Sequence, residues 1–329
     1  MASLTTADTA VALQTAIKKR PEILHNVLGN VGDNFYKYIG LTTDIQDKWV
    51  LGRVGATSFL QPGVSGFSPN GAFSMTMHEG TVNRGSVDLS FEQAELDKMV
   101  SIFMTTVEGR ALSARAKHNE IPYAELVLAT IFAQLRKDIY YHLAFQGVAG
   151  GADAIKAKNV TNGFKKLIVD GIAATSGAKD IPAANVLTGA VVAATNALDQ
   201  ALALYDLLTE DKKTDDNWVL MVAPKVHELI TQDYNNTYNS ASYNRGDVWQ
   251  LLPALPRANV VIESYPGLVG SQRMILTQKM NFEVGMTNEG DLTDFFVKNE
   301  RNRSVEINTD IKIGFGINDY SNVYVNDQA

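Results

Sequence analysis

The chain has no cysteine in 329 residues, which excludes disulfide cross-links and thiolate metal sites and fits synthesis in a reducing compartment. It has no basic excess: 29 Lys plus Arg against 36 Asp plus Glu leave a formal charge of -7, so no global field exists to hold nucleic acid by counterion release. The start, Ala2, Ser3, Leu4, Thr5 and Thr6, lacks the basic residues and apolar run of a secretory signal. Long hydrophobic runs are also missing. The most apolar helix candidate, 121–147, carries Gln134, Arg136, Lys137 and Asp138 at its middle, which a bilayer span would not tolerate unpaired. These gaps argue against export, a membrane span and DNA binding as the main task.

Recognisable reaction chemistry is equally scarce. There is no G-x-x-x-x-G-K-[ST] phosphate loop, no G-x-G-x-x-G after a strand, no H-E-x-x-H and no G-x-S-x-G. The five histidines, His25, His78, His118, His142 and His227, are never three or four residues apart, the spacing that puts two imidazoles on one helical face. Asp211, Asp215, Asp216 and Asn217 lack the sixth-position glycine and closing glutamate of a calcium loop. Three matches to the glycosylation pattern, at Asn159, Asn235 and Asn302, carry no weight without an export signal. Glu92 and Glu95 read as ordinary exposed helix residues, and no nucleophile has a visible base. The expectation is no catalytic residue, no metal and no cofactor, although triads assembled from distant positions would escape such a search.

What is present is a series of strong structural signals. Residues 6–28 read as a helix with Leu13, Ile17, Leu24 and Leu28 as apolar points, interrupted by Lys18, Lys19, Arg20 and Pro21. Residues 51–91 alternate weakly (Phe73, Met75, Met77, then Val87, Leu89, Phe91) around Pro62, Gly63, Gly66, Pro69 and Gly71, which predicts a long glycine-punctuated hairpin. Its faces are too thinly apolar for a core of its own, so it must pack on the chain or project towards a partner. A helix is predicted over 122–146, opened by Pro122, with Leu128, Ile131, Phe132, Leu135, Ile139 and Leu143 on one stripe, and ended by Gly147, Gly150 and Gly151.

A second long helix is predicted over 185–208, with Leu187, Val191, Ala194, Leu198, Leu202 and Tyr205 inward. A buried strand is expected at 218–223 and a short helix from Pro224 with Val226, Leu229 and Ile230, then a polar loop over 233–247 as a contact tip. Strands follow at 260–262, 274–277, 282–286 and 295–297. The last element is the most regular: Val305, Ile307, Thr309, Ile311, Ile313, Phe315 and Ile317 alternate with Glu306, Asn308, Asp310, Lys312, Gly314 and Gly316, a long strand with one buried and one wet face.

This order of elements resembles the Hong Kong 97-type major capsid proteins of tailed bacteriophages and their encapsulin relatives. The stretch 145–151, followed by Asn162, Gly163 and Phe164, is similar to the family's spine-helix end and its small loop. Residues 185–208 with 218–225 look like the helix, strand and proline-opened helix of its axial domain, and 265–270 like the connection to the next strand. The resemblance spans nearly the whole chain. It implies an α+β fold with an N-terminal arm (1–50), an extended loop hairpin (51–96), a peripheral domain with the long spine helix (97–185 and 291–313) and an axial domain (186–290 and 314–329).

It further implies a non-enzymatic major capsid protein, a homo-oligomer of hexamers and pentamers forming an icosahedral head around double-stranded DNA held without sequence-specific binding. Separate scaffold, portal and cement proteins would be its partners, and the virion capsid, assembled in the bacterial host cytoplasm, its location. The subunit contacts implied are Phe59, Phe67, Phe73, Met75 and Met77 in the extended loop and Tyr234, Asn235, Asn236, Tyr243 and Arg245 near the capsomer axis. Some family members link a lysine of this loop covalently to a neighbour's asparagine; here no lysine lies between Lys48 and Lys98, so a non-covalent lock is expected. An encapsulin-type compartment, another virion component and an α+β enzyme with an unrecognised site stay open as rival readings.

Overall fold

The structure, a computed structural model, describes residues 11, 13–14, 34–56, 71–92, 94–95, 98, 122–238, 251–256, 260–287, 296–299 and 304–328. Most of the helix expected over 6–28 lies outside these residues. Of that stretch Leu13 is buried, and Gln14 Nε2 donates to the Val297 carbonyl (2.7 Å).

In chain order the strands are β1 (Ile39–Thr42), β2 (Lys48–Ala56), β3 (Phe73–Thr81), β4 (Asn83–Glu92), β5 (Val186–Leu187), β6 (Trp218–Val222), β7 (Val261–Ser264), β8 (Ile275–Gln278), β9 (Phe282–Met286), β10 (Phe296–Asn299), β11 (Ser304–Ile317) and β12 (Val323–Asn326). The α-helices are α1 (Pro122–Lys137), continued by a π-helical stretch (Asp138–Leu143) and a last α turn (Ala144–Gln146), then α2 (Phe164–Ala173), α3 (Ala197–Asp206), α4 (Glu210–Lys213) and α5 (Pro224–Tyr238).

Two five-stranded sheets share one core. The first runs β1-β9-β11-β10, with β4 also paired to β11; the second runs β5-β12-β8-β6-β7. In the second sheet β6 is buried along its whole length, so its run of apolar residues needs no alternation. The helix from Pro122 forms as expected, with Leu128, Phe132, Leu135, Ile139 and Leu143 of the stripe buried and Ile131 half-buried against the core. The wider π winding then also turns Tyr140, Ala144 and Phe145 inward. Gly147 ends it for a packing reason: a Cβ there would stand 2.6 Å from the Leu143 carbonyl oxygen, and one on Gly163 would stand 2.5 Å from the same atom. The two glycines let the helix end and the approach to α2 touch backbone to backbone, joined by Gly163 N–H to Gly147 O (2.9 Å).

Four expectations need correction. The helix expected over 185–208 covers only Ala197–Asp206. Val186 and Leu187 instead pair with Val325 and Asn326 of β12, and Val191 is exposed, so the true inward face is Ala197, Leu198, Ala201 and Leu204. The helix from Pro224 is not short, and the polar stretch from Asp233 begins inside it. Asp233 is buried because its carboxylate accepts the Leu198 N–H (2.8 Å), capping α3 from a neighbouring helix. The rest of that stretch, 239–247, lies outside the described residues.

The long strand β11 has its wet face only as far as Lys312; Gly314 and Gly316 are buried. Finally, the hairpin expected over 51–91 ends at Thr81. Phe73–Thr81 pairs with Lys48–Ala56, whereas β4 leaves it and runs antiparallel to β11 from Asn83↔Ile313 to Glu92↔Ser304.

Candidate functional site

The β2–β3 ribbon is the one two-stranded sheet among the described residues. A two-stranded ribbon holds little stability alone, so what fastens it matters. Its base is fixed by Trp49 and Leu51, which form a small apolar cluster with Ile45 and Val82. The Trp49 indole lies in a slot made of glycines: a Cβ on Gly80 would stand 2.7 Å from the ring and one on Gly285 2.9 Å from it. On β11, a Cβ at Gly314 would meet the Thr81 carbonyl oxygen, and one at Gly316 the Leu51 side chain. The glycines that read as a wet face are therefore the seat of the ribbon.

Polar ties complete the attachment. His78 Nε2 donates to the Ile317 carbonyl (2.8 Å), and its ring stands edge-on to Tyr320. Its Nδ1 is buried without a partner. Burial, with a smaller push from Lys179, holds the His78 pKa below its ordinary 6.5 against the opposing pull of the Ile317 bond and Asp319. Lys179 Nζ donates to the Glu79 carbonyl (3.1 Å). Further out, Arg53 Nη1 reaches the Asp319 carboxylate (3.2 Å) and Ser321 Oγ.

Cross-strand partners share a face, so Val50↔Glu79, Gly52↔Met77, Val54↔Met75 and Ala56↔Phe73 all lie opposite the buried Trp49 and Leu51. On that outward face Val50, Val54, Phe73, Met75 and Met77 are between 64% and 71% exposed. Five large apolar side chains on one outward face of the ribbon form a surface suited to a partner. Of the contact residues expected from the sequence, Phe73, Met75 and Met77 stand together here; Phe59, Phe67, Tyr243 and Arg245 lie outside the described residues. Tyr234, Asn235 and Asn236 lie on α5, with Tyr234 packed against the core, Asn235 half-buried and Asn236 exposed. Val50 and Val54 were not expected. The alternation that marks them is blunted by Gly52 and Gly55.

A cleft of about 620 Å³ opens between the outer half of the ribbon and the turns at 278–281 and 318–322, lined by Arg53, Ser74, Lys279, Asn281, Asn318 and Asp319 among others. Its carboxylate is fully engaged: Asp319 Oδ1 takes Ser321 N (2.9 Å) and Oγ (2.7 Å), and Oδ2 takes Asn322 Nδ2 (3.0 Å) besides Arg53. The lining thus offers structural hydrogen bonds and no nucleophile beside a base. Among the described residues no group of three or more His, Asp or Glu could hold a metal, and no helix is long and apolar enough to cross a membrane.

No protein-family model matches the sequence, and no curated protein does. Solved structures do match. A chain of the satellite phage P4 procapsid that includes the size determination protein is 13% identical, with 94% of this chain and 89% of that chain covered and a TM-score of 0.57. The capsid of an empty GTA particle is 10% identical over 89% of this chain and 88% of that one, at a TM-score of 0.51. That of the native GTA particle is also 10% identical, over 89% of each chain, with the same score. The likeness covers 89–94% of the chain, which has the Hong Kong 97-type capsid fold expected from the order of its elements.

Proposed function

We propose that this chain is the major capsid protein of a tailed bacteriophage, a non-enzymatic subunit that assembles with copies of itself into the hexamers and pentamers of an icosahedral head enclosing double-stranded DNA. The observation that carries this reading is the seated ribbon with its outward row of Val50, Val54, Phe73, Met75 and Met77, set in a chain with a capsid fold. Full burial of one such side chain stabilises a contact by about 1.5–3 kcal/mol. A modest contact of that kind, repeated by symmetry around a closed shell, sums to a stable assembly.

In this reading the extended loop, expected over 51–96, lies over a neighbouring subunit through its β2–β3 part, with Phe59 and Phe67 joining Phe73, Met75 and Met77 in the contact, while β4 stays on this chain's own β11. Residues 1–50 are the arm, 97–185 and 291–313 the peripheral domain, and 186–290 and 314–329 the axial domain. Strand β9, within 186–290, pairs with the axial part of β11 (Gly314–Ile317 with Phe282–Gly285) and meets the peripheral part only at Met286↔Ile313. Tyr234, Asn235, Asn236, Tyr243 and Arg245 then border the capsomer axis. A separate scaffold, a portal and cement proteins are the expected partners, in a virion assembled in the bacterial host cytoplasm. The lock is non-covalent, since the one lysine in the ribbon, Lys48, sits at its base paired with Glu79 (2.7 Å).

Sedimentation velocity of the purified chain, alone and with the scaffold of its source phage, tests the reading. Wild type should form capsomers or shells. M75D combined with V54D should stay monomeric while keeping the wild-type circular dichroism and melting temperature. Unchanged assembly of that double variant would refute the ribbon's role.

A further inference from the structure

Strand β4 has one backbone edge that pairs with no strand among the described residues. It runs along one side of β11, while β10 at 305–308 and β9 at 313–317 occupy the other side. Backbone groups along a strand point alternately to its two edges. The Lys312 carbonyl accepts the Thr287 N–H (3.4 Å) on the β9 side, so even-numbered residues of β11 face β9 and β10 and odd-numbered ones face β4. By register the odd-numbered residues of β4 exchange bonds with β11, and Arg84, Ser86, Asp88 and Ser90 turn their N–H and C=O outward. Glu92 keeps that phase: its N–H leaves β11 and donates to the Glu95 carboxylate (3.2 Å).

A flat edge of this kind is a template for another strand. It carries no proline and no lysine, and its pairing runs ten residues without a bulge. Val87, Leu89 and Phe91 pack on the core from its inner face yet stay only half-buried, and a strand alongside would cover them. The exposed charges of β4 complement a second β4. Two antiparallel copies centred on Ser86 set Arg84 of each across from Asp88 of the other. Centring on Val87 instead sets Arg84 against Ser90. Centring on Asp88 sets that carboxylate against itself and asks for the Glu92 N–H that Glu95 already takes. Arg84 also holds Asp310 on its own sheet, and a guanidinium with five donors can serve both carboxylates.

We propose that β4 docks antiparallel on β4 of a second copy about a two-fold axis at Ser86. Arg84↔Asp88, Ser86↔Ser86 and Asp88↔Arg84 then form the narrow pairs, with about six new backbone bonds that join the sheet of one copy to that of the next. This surface is separate from the outward ribbon face, since β4 leaves the ribbon for β11. A lone pair of this size is weak and gains its hold by repetition between capsomers. That role rests on the assembly reading above; the pairing itself does not.

The chain has no cysteine, so single-cysteine variants report the pairing. In the proposed register residue 86 meets its own copy at a Cα separation of about 5.5 Å, within disulfide reach, whereas the two copies of residue 90 stand on the order of 27 Å apart. S86C oxidised with copper–phenanthroline, both as concentrated free chain and as particle, should give linked dimer at least about tenfold faster than S90C. In the S86C background D88R should slow linking by about tenfold, two ion pairs being turned into repulsions, and R84D added to D88R should restore it. S86C linking no faster than S90C, or a D88R effect that is absent or that R84D fails to reverse, overturns the proposal. S86C-selective linking in a chain that forms no shell would refute the assembly reading and leave the pairing intact.

Discussion

Alanine at position 314 should lift the ribbon off its seat while the sheets beneath stay paired. A Cβ on Gly314 drives into the Thr81 carbonyl oxygen and comes within 3.1 Å of the Trp49 ring. The first of these is backbone at the end of β3, which cannot rotate away as a flexible side chain would. The ribbon must therefore shift relative to β11. Overpacking of this kind costs about 1–3 kcal/mol, which lowers the ratio of docked to lifted ribbon by roughly 5- to 150-fold. W49A attacks the same seat from the other side; truncating a buried tryptophan costs about 3–5 kcal/mol.

Native-state hydrogen exchange read by mass spectrometry separates the outcomes. Peptides from 48–56 and 73–81 should exchange faster by that factor in G314A, while β6 (218–222) keeps its wild-type protection. Equal protection of the ribbon in both proteins would show that the seat does not hold it. Faster exchange spread over β9 and β11 would show that the strand yields and not the ribbon, and the idea of a separable, seated element would fail.

Acidification should loosen the same ribbon. The docked-state pKa of His78 is lowered, so its contribution to docking is complete above the ordinary 6.5 and is lost as pH falls through the docked-state value, when a second proton must go onto the buried Nδ1. Ribbon exchange at pH 5 relative to pH 7.5, corrected for intrinsic rates, should rise in wild type and not in H78Q, which keeps a donor for the Ile317 carbonyl; an equal rise in both would remove His78 from the account. D233A should lower unfolding free energy in urea by about 1–2 kcal/mol, since the buried carboxylate caps α3 across two helices, and a change within error would show that water replaces it. R53A should cost under about 1 kcal/mol, as half-exposed ion pairs do, with a larger loss pointing to a stronger hold of the outer ribbon than its geometry implies.

The elements legible in the sequence are those whose pattern runs unbroken. The helix from Pro122 and the strand ending at Ile317 each repeat one period over many residues, and the apolar run from Trp218 has no polar face to confuse it. The misreadings come from long-range partners. Leu187, Val191, Ala194 and Leu198 fall at helical spacing by coincidence, but Val186 and Leu187 are taken by β12. The polarity of Asp233 says loop until its acceptor role towards Leu198 is seen. Gly314 and Gly316 carry no side chain by which to signal that an indole from β2 needs their space. In the candidate interface Phe73, Met75 and Met77 announce themselves by alternation, whereas Val50 and Val54 join them only through the β2–β3 register.

Cryo-electron microscopy of the purified chain assembled with the scaffold of its source phage tests the central claim most directly. Closed shells of hexamers and pentamers, with Val50, Val54, Phe73, Met75 and Met77 of each ribbon buried against the adjoining subunit, are the predicted result. A discrete monomer under all assembly conditions, or a shell in which that row faces solvent, would contradict it.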